Sequence, residues 1–225
     1  TKNKIRNFNL EFLLSNIENS LKRLNIESLD IFLINKPKKK DLLKYDFDNF
    51  FYKLKKSGKV KYTGLVLGND KLYNVLIKIQ NLDCVSLLYN LIEVDSYNLI
   101  KKLHNKNIGI IARSILNSGL FLNKKNKNKI ISEIPKDVVN YKLEKLNHAK
   151  NFLEISNKDI IKASINFSLK NKSINCSLIG CSSISQLNRN LKYIEKDKLN
   201  LFENYEEYIK FINKISKKFK YQNQN

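Results

Sequence analysis

Short apolar runs alternate along this chain with longer stretches whose apolar residues recur every three or four positions. Leu10, Leu13, Leu14, Ile17, Leu21 and Leu24 fall at helical spacing and predict a helix over about 9–24. Leu29 to Ile34 is a compact apolar run closed by Pro37, the signature of a buried strand. A helix over about 46–57 is ended by Gly58, and Val60 to Leu67 reads as the next strand. The strand stops at Gly68-Asn69-Asp70, where Asp70 is a candidate N-cap for a helix running to about Gln80.

The cycle continues downstream. Cys84 to Tyr89 predicts a strand, Ser96 to His104 a helix, and Ile108 to Ala112 a strand that runs into a loop at Ser114–Gly119. A Lys/Asn-rich loop at 123–129 precedes helices over about 136–154 and 158–170. Cys176 to Ile179 is the last predicted strand, Ser183 to Ile194 the helix after it, and about 201–219 a final amphipathic helix. Residues 1–220 are expected to form one domain, with 221–225 a polar, frayed end.

Apolar strands alternating with amphipathic helices imply an α/β fold with a parallel sheet covered by helices. That pattern leaves a closed barrel and an open doubly wound sheet as candidates. No Gly-x-Gly-x-x-Gly follows a strand and no Walker A string is present, so two common phosphate-binding fingerprints are missing.

Composition narrows the classes. A chain of 225 residues with 42% hydrophobic and 28% charged residues can bury a real core. No apolar run approaches the roughly 20 residues a membrane-crossing helix needs, and no apolar block opens the chain as a signal peptide would, so no membrane partner is expected. The chain begins at Thr1 and contains no Met, so the natural start is expected to be trimmed or missing. Cys84, Cys176 and Cys181 are too few and too unevenly placed for a disulfide framework, which fits a reducing, cytoplasmic setting. With only His104 and His148 besides, no metal site is expected. The net charge of +21 raises a nucleic-acid partner. However, Lys is spread over nearly every predicted element, Arg is scarce, and Asn and Ile are abundant as well, which favours drift in composition instead.

Five strings, in order, resemble signatures of the aldo/keto reductase superfamily. They are Ser20-Leu21-Lys22-Arg23-Leu24 continuing to Asp30 and Pro37; Gly58-Lys59-Val60-Lys61-Tyr62-Thr63-Gly64; Tyr89-Asn90-Leu91; Gly109 to Leu120, with Arg113-Ser114-Ile115-Leu116 at its centre; and Ile179 to Asn190. The wording of the fourth is most similar to reductases found with bacterial surface-polysaccharide genes. The resemblance implies a (β/α)8 TIM-type barrel, incomplete here, lacking about the first two βα units. It also implies an NADP- or NAD-dependent oxidoreductase acting on a small carbonyl or sugar substrate.

The resemblance implies that Ser114, Leu116 and Ser118 lie along the cofactor's pyrophosphate. The turn from Gly180 through Ser182, with Gln186 and Asn190 on the following helix, would hold the adenosine end. Gly180 would permit close backbone approach. Of the family's catalytic Asp, Tyr, Lys and His, the first two belong to units not in this sequence. Lys2 matches the catalytic lysine, and the histidine position reads Asn35. Asn can orient a carbonyl by hydrogen bonding but cannot titrate near neutrality. Val66, Leu67 and Ser86 stand where the family often has polar groups for the nicotinamide carboxamide, and Arg113 stands at the usual stacking aromatic. No basic residue occurs in Gly180–Gln186 to meet a 2′-phosphate. A degenerate, catalytically inactive barrel is therefore the alternative reading, and a basic nucleic-acid-binding barrel a lesser one.

Overall fold

The computed structural model describes residues 7–68, 72–121, 135–195 and 201–222, with the backbone alone for Glu195 and 217–222. Helices α1 (Leu10–Leu24), α2 (Lys39–Lys44), α3 (Phe47–Lys56), α4 (Tyr73–Leu76) and α5 (Tyr97–His104) alternate with strands β1 (Leu29–Asn35), β2 (Val60–Val66) and β3 (Cys84–Leu88). Then come β4 (Gly109–Arg113), α6 (Lys136–Leu153), α7 (Ile160–Lys170), β5 (Cys176–Ser177), α8 (Ile184–Glu195) and α9 (Tyr205–Gln222). The strands lie in one sheet in sequence order, β1-β2-β3-β4-β5. This is the barrel-type α/β architecture that the family resemblance implied, incomplete over these residues.

Contacts divide the chain into two compact units, residues 1–87 with 102–110, and residues 88–101 with 111–225. In the first, β1 and β2 pair in parallel with Leu29 opposite Val60 and Asn35 opposite Val66. β2 and β3 continue the ladder with Gly64 opposite Cys84 and Val66 opposite Ser86. Asn9 caps α1 by accepting from the N–H groups of Glu11 and Phe12 at 2.9 and 3.2 Å, and Asn25 ends it in the left-handed region at φ 54°. Asp46 caps α3, which buries Phe47, Phe50, Phe51 and Leu54. Just ahead of β3 and beside the middle of β2, the Lys55 ammonium meets the Asp83 carboxylate at 3.0 Å. The same carboxylate accepts from the Thr63 N–H at 2.8 Å, and the Thr63 hydroxyl donates to the Asn81 carbonyl at 2.6 Å. This half-buried network ties helix to strands at the barrel face that serves stability.

The second unit is organised around aromatic rings. Tyr89 stacks on Phe167 with centroids 5.2 Å apart, and Phe167 stacks on Tyr205 at 5.0 Å. The Tyr89 and Tyr205 hydroxyls share a 2.7 Å hydrogen bond, and Tyr205 also donates to the Phe167 carbonyl at 3.2 Å. Tyr208 donates to the Leu91 carbonyl at 2.7 Å, so α9 is anchored by two of its hydroxyls. Here β4 and β5 pair in parallel, Ile111 opposite Cys176 and Ala112 opposite Ser177.

Several boundaries depart from the sequence reading. α2 begins within the run Lys38–Lys40, in a stretch to which the sequence pattern assigned no element; the Asp41 carboxylate supports it by accepting from the Lys38 N–H at 2.8 Å. The helix expected to reach Gln80 is four residues long over the described part, and its proposed cap, Asp70, lies outside the described residues, as does the loop at 123–129. β5 is two residues rather than four; its pairing with β4 extends only to the Leu178 N–H, which donates to the Ala112 carbonyl at 2.8 Å. α9 continues through Tyr221 and Gln222, which the sequence placed in a frayed end. No helix among the described residues is long and apolar enough to cross a membrane.

Candidate nucleotide site

The parallel pairing of β4 and β5 sends the loop Ser114–Gly119 and the turn Gly180–Ser183 off the same, C-terminal edge of the sheet. In barrels of this type, loops at that edge build the functional site.

The first loop has an unusual backbone. Ser114, Asn117 and Ser118 have φ values of 59°, 47° and 53°, and Gly119 has 92°. Non-glycine residues rarely adopt the left-handed region, and such residues gather where surrounding structure holds the chain for function. Asn90 supplies part of that hold. Its buried amide donates to the Ser114 carbonyl at 2.9 Å, while its Oδ1 accepts from the N–H groups of Ile92 and Glu93, both at 3.1 Å. The Ser114 carbonyl also accepts from the Asn117 N–H at 2.8 Å. Leu116 is buried, Ser114 half-buried and Ser118 exposed. Backbone N–H groups in mixed right- and left-handed turns form concavities that suit anionic oxygens. Arg113, at the end of β4, has its guanidinium pKa lowered by burial.

The second turn leads into α8. Ser183 caps the helix by accepting from the Gln186 N–H at 3.2 Å. Gln186 reaches back, its Oε1 accepting from the N–H and hydroxyl of Ser182 at 3.0 and 3.2 Å. Ser182 and Gln186 thus already serve as a variant of the capping box. Asn190 is buried and donates to the Cys181 sulfur at 3.3 Å, leaving its Oδ1 without a hydrogen-bond partner. Gly180 has no heavy atom within 4 Å of where a Cβ would stand, so a ligand can pass close to its backbone. Arg189, which the sequence reading passed over because it falls just beyond Gly180–Gln186, has a buried Nε without a partner. An open glycine, unsatisfied polar atoms on one helix turn and a helix N-terminus fit the phosphorylated, nitrogen-rich end of a nucleotide.

In the first unit, register unites positions that the sequence singled out separately. Asn35 lies opposite Val66, and Val66 opposite Ser86, so all three form one row, at the C-terminal ends of β1 and β2 and midway along β3. Asn35 is exposed and Ser86 buried; Leu67 donates its N–H to the Ser86 carbonyl at 2.7 Å. Lys2 lies outside the described residues. The described residues contain no group of three or more His, Cys, Asp or Glu placed to hold a metal ion. Cys84, Cys176 and Cys181 are free thiols, and burial pushes the Cys84 thiol up to about 11.

The sequence profile of the aldo/keto reductase family matches residues 2–206. No curated protein matches the chain. Among solved structures, the chain is similar to aldo-keto reductase AKR11C1 from Bacillus halodurans in its holo form, at 15% identity and a TM-score of 0.69, over 93% of this chain and 68% of that one. It is also similar to the thermostable aldo-keto reductase Tm1743, solved with the inhibitor epalrestat, at 20% identity and a TM-score of 0.58, over 90% of this chain and 65% of that one. The chain therefore spans about two thirds of the length of these structures.

Proposed function

On the premise that the chain belongs to the aldo/keto reductase family, we propose that it binds a nicotinamide dinucleotide, NADP or NAD, along the loop Ser114–Gly119 and the turn Gly180–Ser183. One observation carries this reading: a loop held in left-handed conformations and an open glycine turn leave one edge of the sheet together. Ser114, Leu116 and Ser118 would line the pyrophosphate, and Gly180, Ser182, Gln186 and Asn190 the adenosine end. When bound in its reduced form, such a dinucleotide would supply a hydride to a carbonyl carbon and be left oxidised. The proposed activity is reduction of a small carbonyl or sugar substrate, with Lys2 and Asn35 as this chain's own candidates at the reacting end. The polysaccharide-linked wording of Arg113 to Leu120 supports a sugar, and the sparse free cysteines support a cytoplasmic setting.

A second reading, a barrel that binds dinucleotide without reducing carbonyls, is favoured by the row Asn35–Val66–Ser86. None of these three side chains titrates near neutrality, so none can exchange a proton as imidazole does. The test is a titration with NADH and NADPH followed by nicotinamide fluorescence, which the absence of Trp leaves uncluttered, then an assay of aldehyde reduction. Binding with turnover supports the reductase, binding alone the inactive barrel, and no binding removes both.

A further inference from the structure

The loop after β4 belongs to a closed ring of hydrogen bonds that neither the family strings nor the loop's own residues announce. Asn90 donates to the Ser114 carbonyl at 2.9 Å, and the Asn117 N–H donates to the same oxygen at 2.8 Å. The Asn117 side-chain oxygen accepts from the Lys142 ammonium on α6 at 3.0 Å. Lys142 meets the Glu93 carboxylate at 2.9 Å, with both side chains about four fifths buried. Glu93 closes the ring by donating its N–H to Asn90 Oδ1 at 3.1 Å. Five residues from three segments thus hold one loop whose Asn117 and Ser118 are left-handed.

The ring leaves one group over. Asn117 is 4% exposed, its Oδ1 is taken by Lys142, and its Nδ2 has no acceptor. A buried donor without a partner is costly, and such groups persist where a ligand or ion completes them. The ammonium of Lys142, already paired with Glu93, offers no free charge of its own. Its effect on the loop is orientation: as a pure donor it requires an acceptor and so turns the Asn117 carboxamide with oxygen toward α6 and nitrogen away.

We propose that Asn117 Nδ2 is an anion-binding donor for the dinucleotide's diphosphate and that Lys142, anchored by Glu93, is the positioning residue that aims it. This rests on the nucleotide reading above and adds two residues to it. Because the diphosphate is common to ADP, NADH and NADPH, the contribution is the same for all three.

The test compares Asn117→Asp, Lys142→Met and Lys142→Arg with the unaltered chain, measuring affinity for ADP, NADH and NADPH calorimetrically together with the thermal melt. Asp at 117 keeps the oxygen that accepts from Lys142 but replaces the donor with a negative oxygen. The expected result is a loss of about tenfold or more for all three nucleotides, the scale of a lost hydrogen bond to a charged group, in a chain whose melt remains cooperative. Lys142→Met should weaken all three and Lys142→Arg restore them. If Lys142→Met fails to fold, Asn117→Asp alone decides. Unaltered affinity in Asn117→Asp overturns the proposal while the nucleotide reading stands. A loss confined to NADPH also overturns it, since that would assign Asn117 to the 2′-phosphate. If the unaltered chain binds none of the three, the nucleotide reading itself fails and takes the proposal with it.

Discussion

Replacing Gly64 by Ala should destabilise the first unit sharply. A Cβ built there would lie 2.5 Å from the Cys84 carbonyl oxygen, 2.6 Å from Leu33 Cδ2 and 2.7 Å from Cys84 Sγ. Leu33 and Cys84 are its register partners on the two flanking strands, so relief on one side presses on the other. The carbonyl is backbone and cannot rotate away as a side chain would. Overpacking of this kind typically costs about 1–3 kcal/mol, and a clash on both flanks belongs at the upper end. Ala returns about 0.4–1 kcal/mol by restricting the unfolded chain. The net loss expected is about 2 kcal/mol, a large share of the roughly 5–15 kcal/mol that keeps a domain folded. Urea unfolding should show this as a midpoint lowered by about 1 M at unchanged slope. A midpoint within error of the parent would refute the reasoning, because it would mean that β1, β2 and β3 do not lie as closely as the register requires.

Gly180→Ala is the converse case: with nothing within 4 Å of the new Cβ, the urea midpoint should hold while affinity for ADP falls, and unchanged affinity would count against a nucleotide at that turn. Burial holds the phenols of Tyr89, Tyr205 and Tyr208 above their ordinary pKa, so their stabilisation is complete below about pH 10 and is lost as pH rises beyond it. The melting temperature should therefore decline on the alkaline side, and Tyr205→Phe, which removes hydrogen bonds to Tyr89 and Phe167, should cost about 1 kcal/mol and flatten that decline. α8 exposes Ile184, Leu187, Leu191 and Ile194 along one stripe at 77, 47, 45 and 43%. Sedimentation velocity should show concentration-dependent association of this chain, reduced in Leu187→Lys, whereas a monodisperse species at every concentration would contradict it.

Much of the fold was legible because burial of strands and periodicity of helices are local patterns. The runs at Leu29 and Val60 and the helix from Leu10 to Leu24 stand within a residue or two of their sequence-predicted bounds. What failed was set by context. α2 depends on one carboxylate, Asp41, folding back onto the Lys38 N–H, and nothing in the spacing of Lys38–Lys40 signals that. β5 spans only the residues that find register with β4, Cys176 and Ser177, and an apolar run from Cys176 to Ile179 cannot disclose where that pairing ends.

The candidate site divides in the same way. Ser114 and Gly180 were visible through motif wording, but the wording said nothing of the left-handed backbone at Asn117 and Ser118. Nor could it reveal Lys142, one lysine among many, which stands out only through its contacts with Glu93 and Asn117. The alignment of Asn35, Val66 and Ser86 in one row likewise required the register.

The central claim is that this chain binds a nicotinamide dinucleotide despite its +21 charge. Calorimetric titration with NADPH, NADH and ADP, alongside a DNA duplex of matched phosphate content, tests it most directly. The account predicts a saturable 1:1 complex with the dinucleotides and ADP that persists at 0.3 M salt, with the DNA signal collapsing over the same salt range. DNA binding alone, or dinucleotide heats that vanish with salt in parallel with those of DNA, would contradict it.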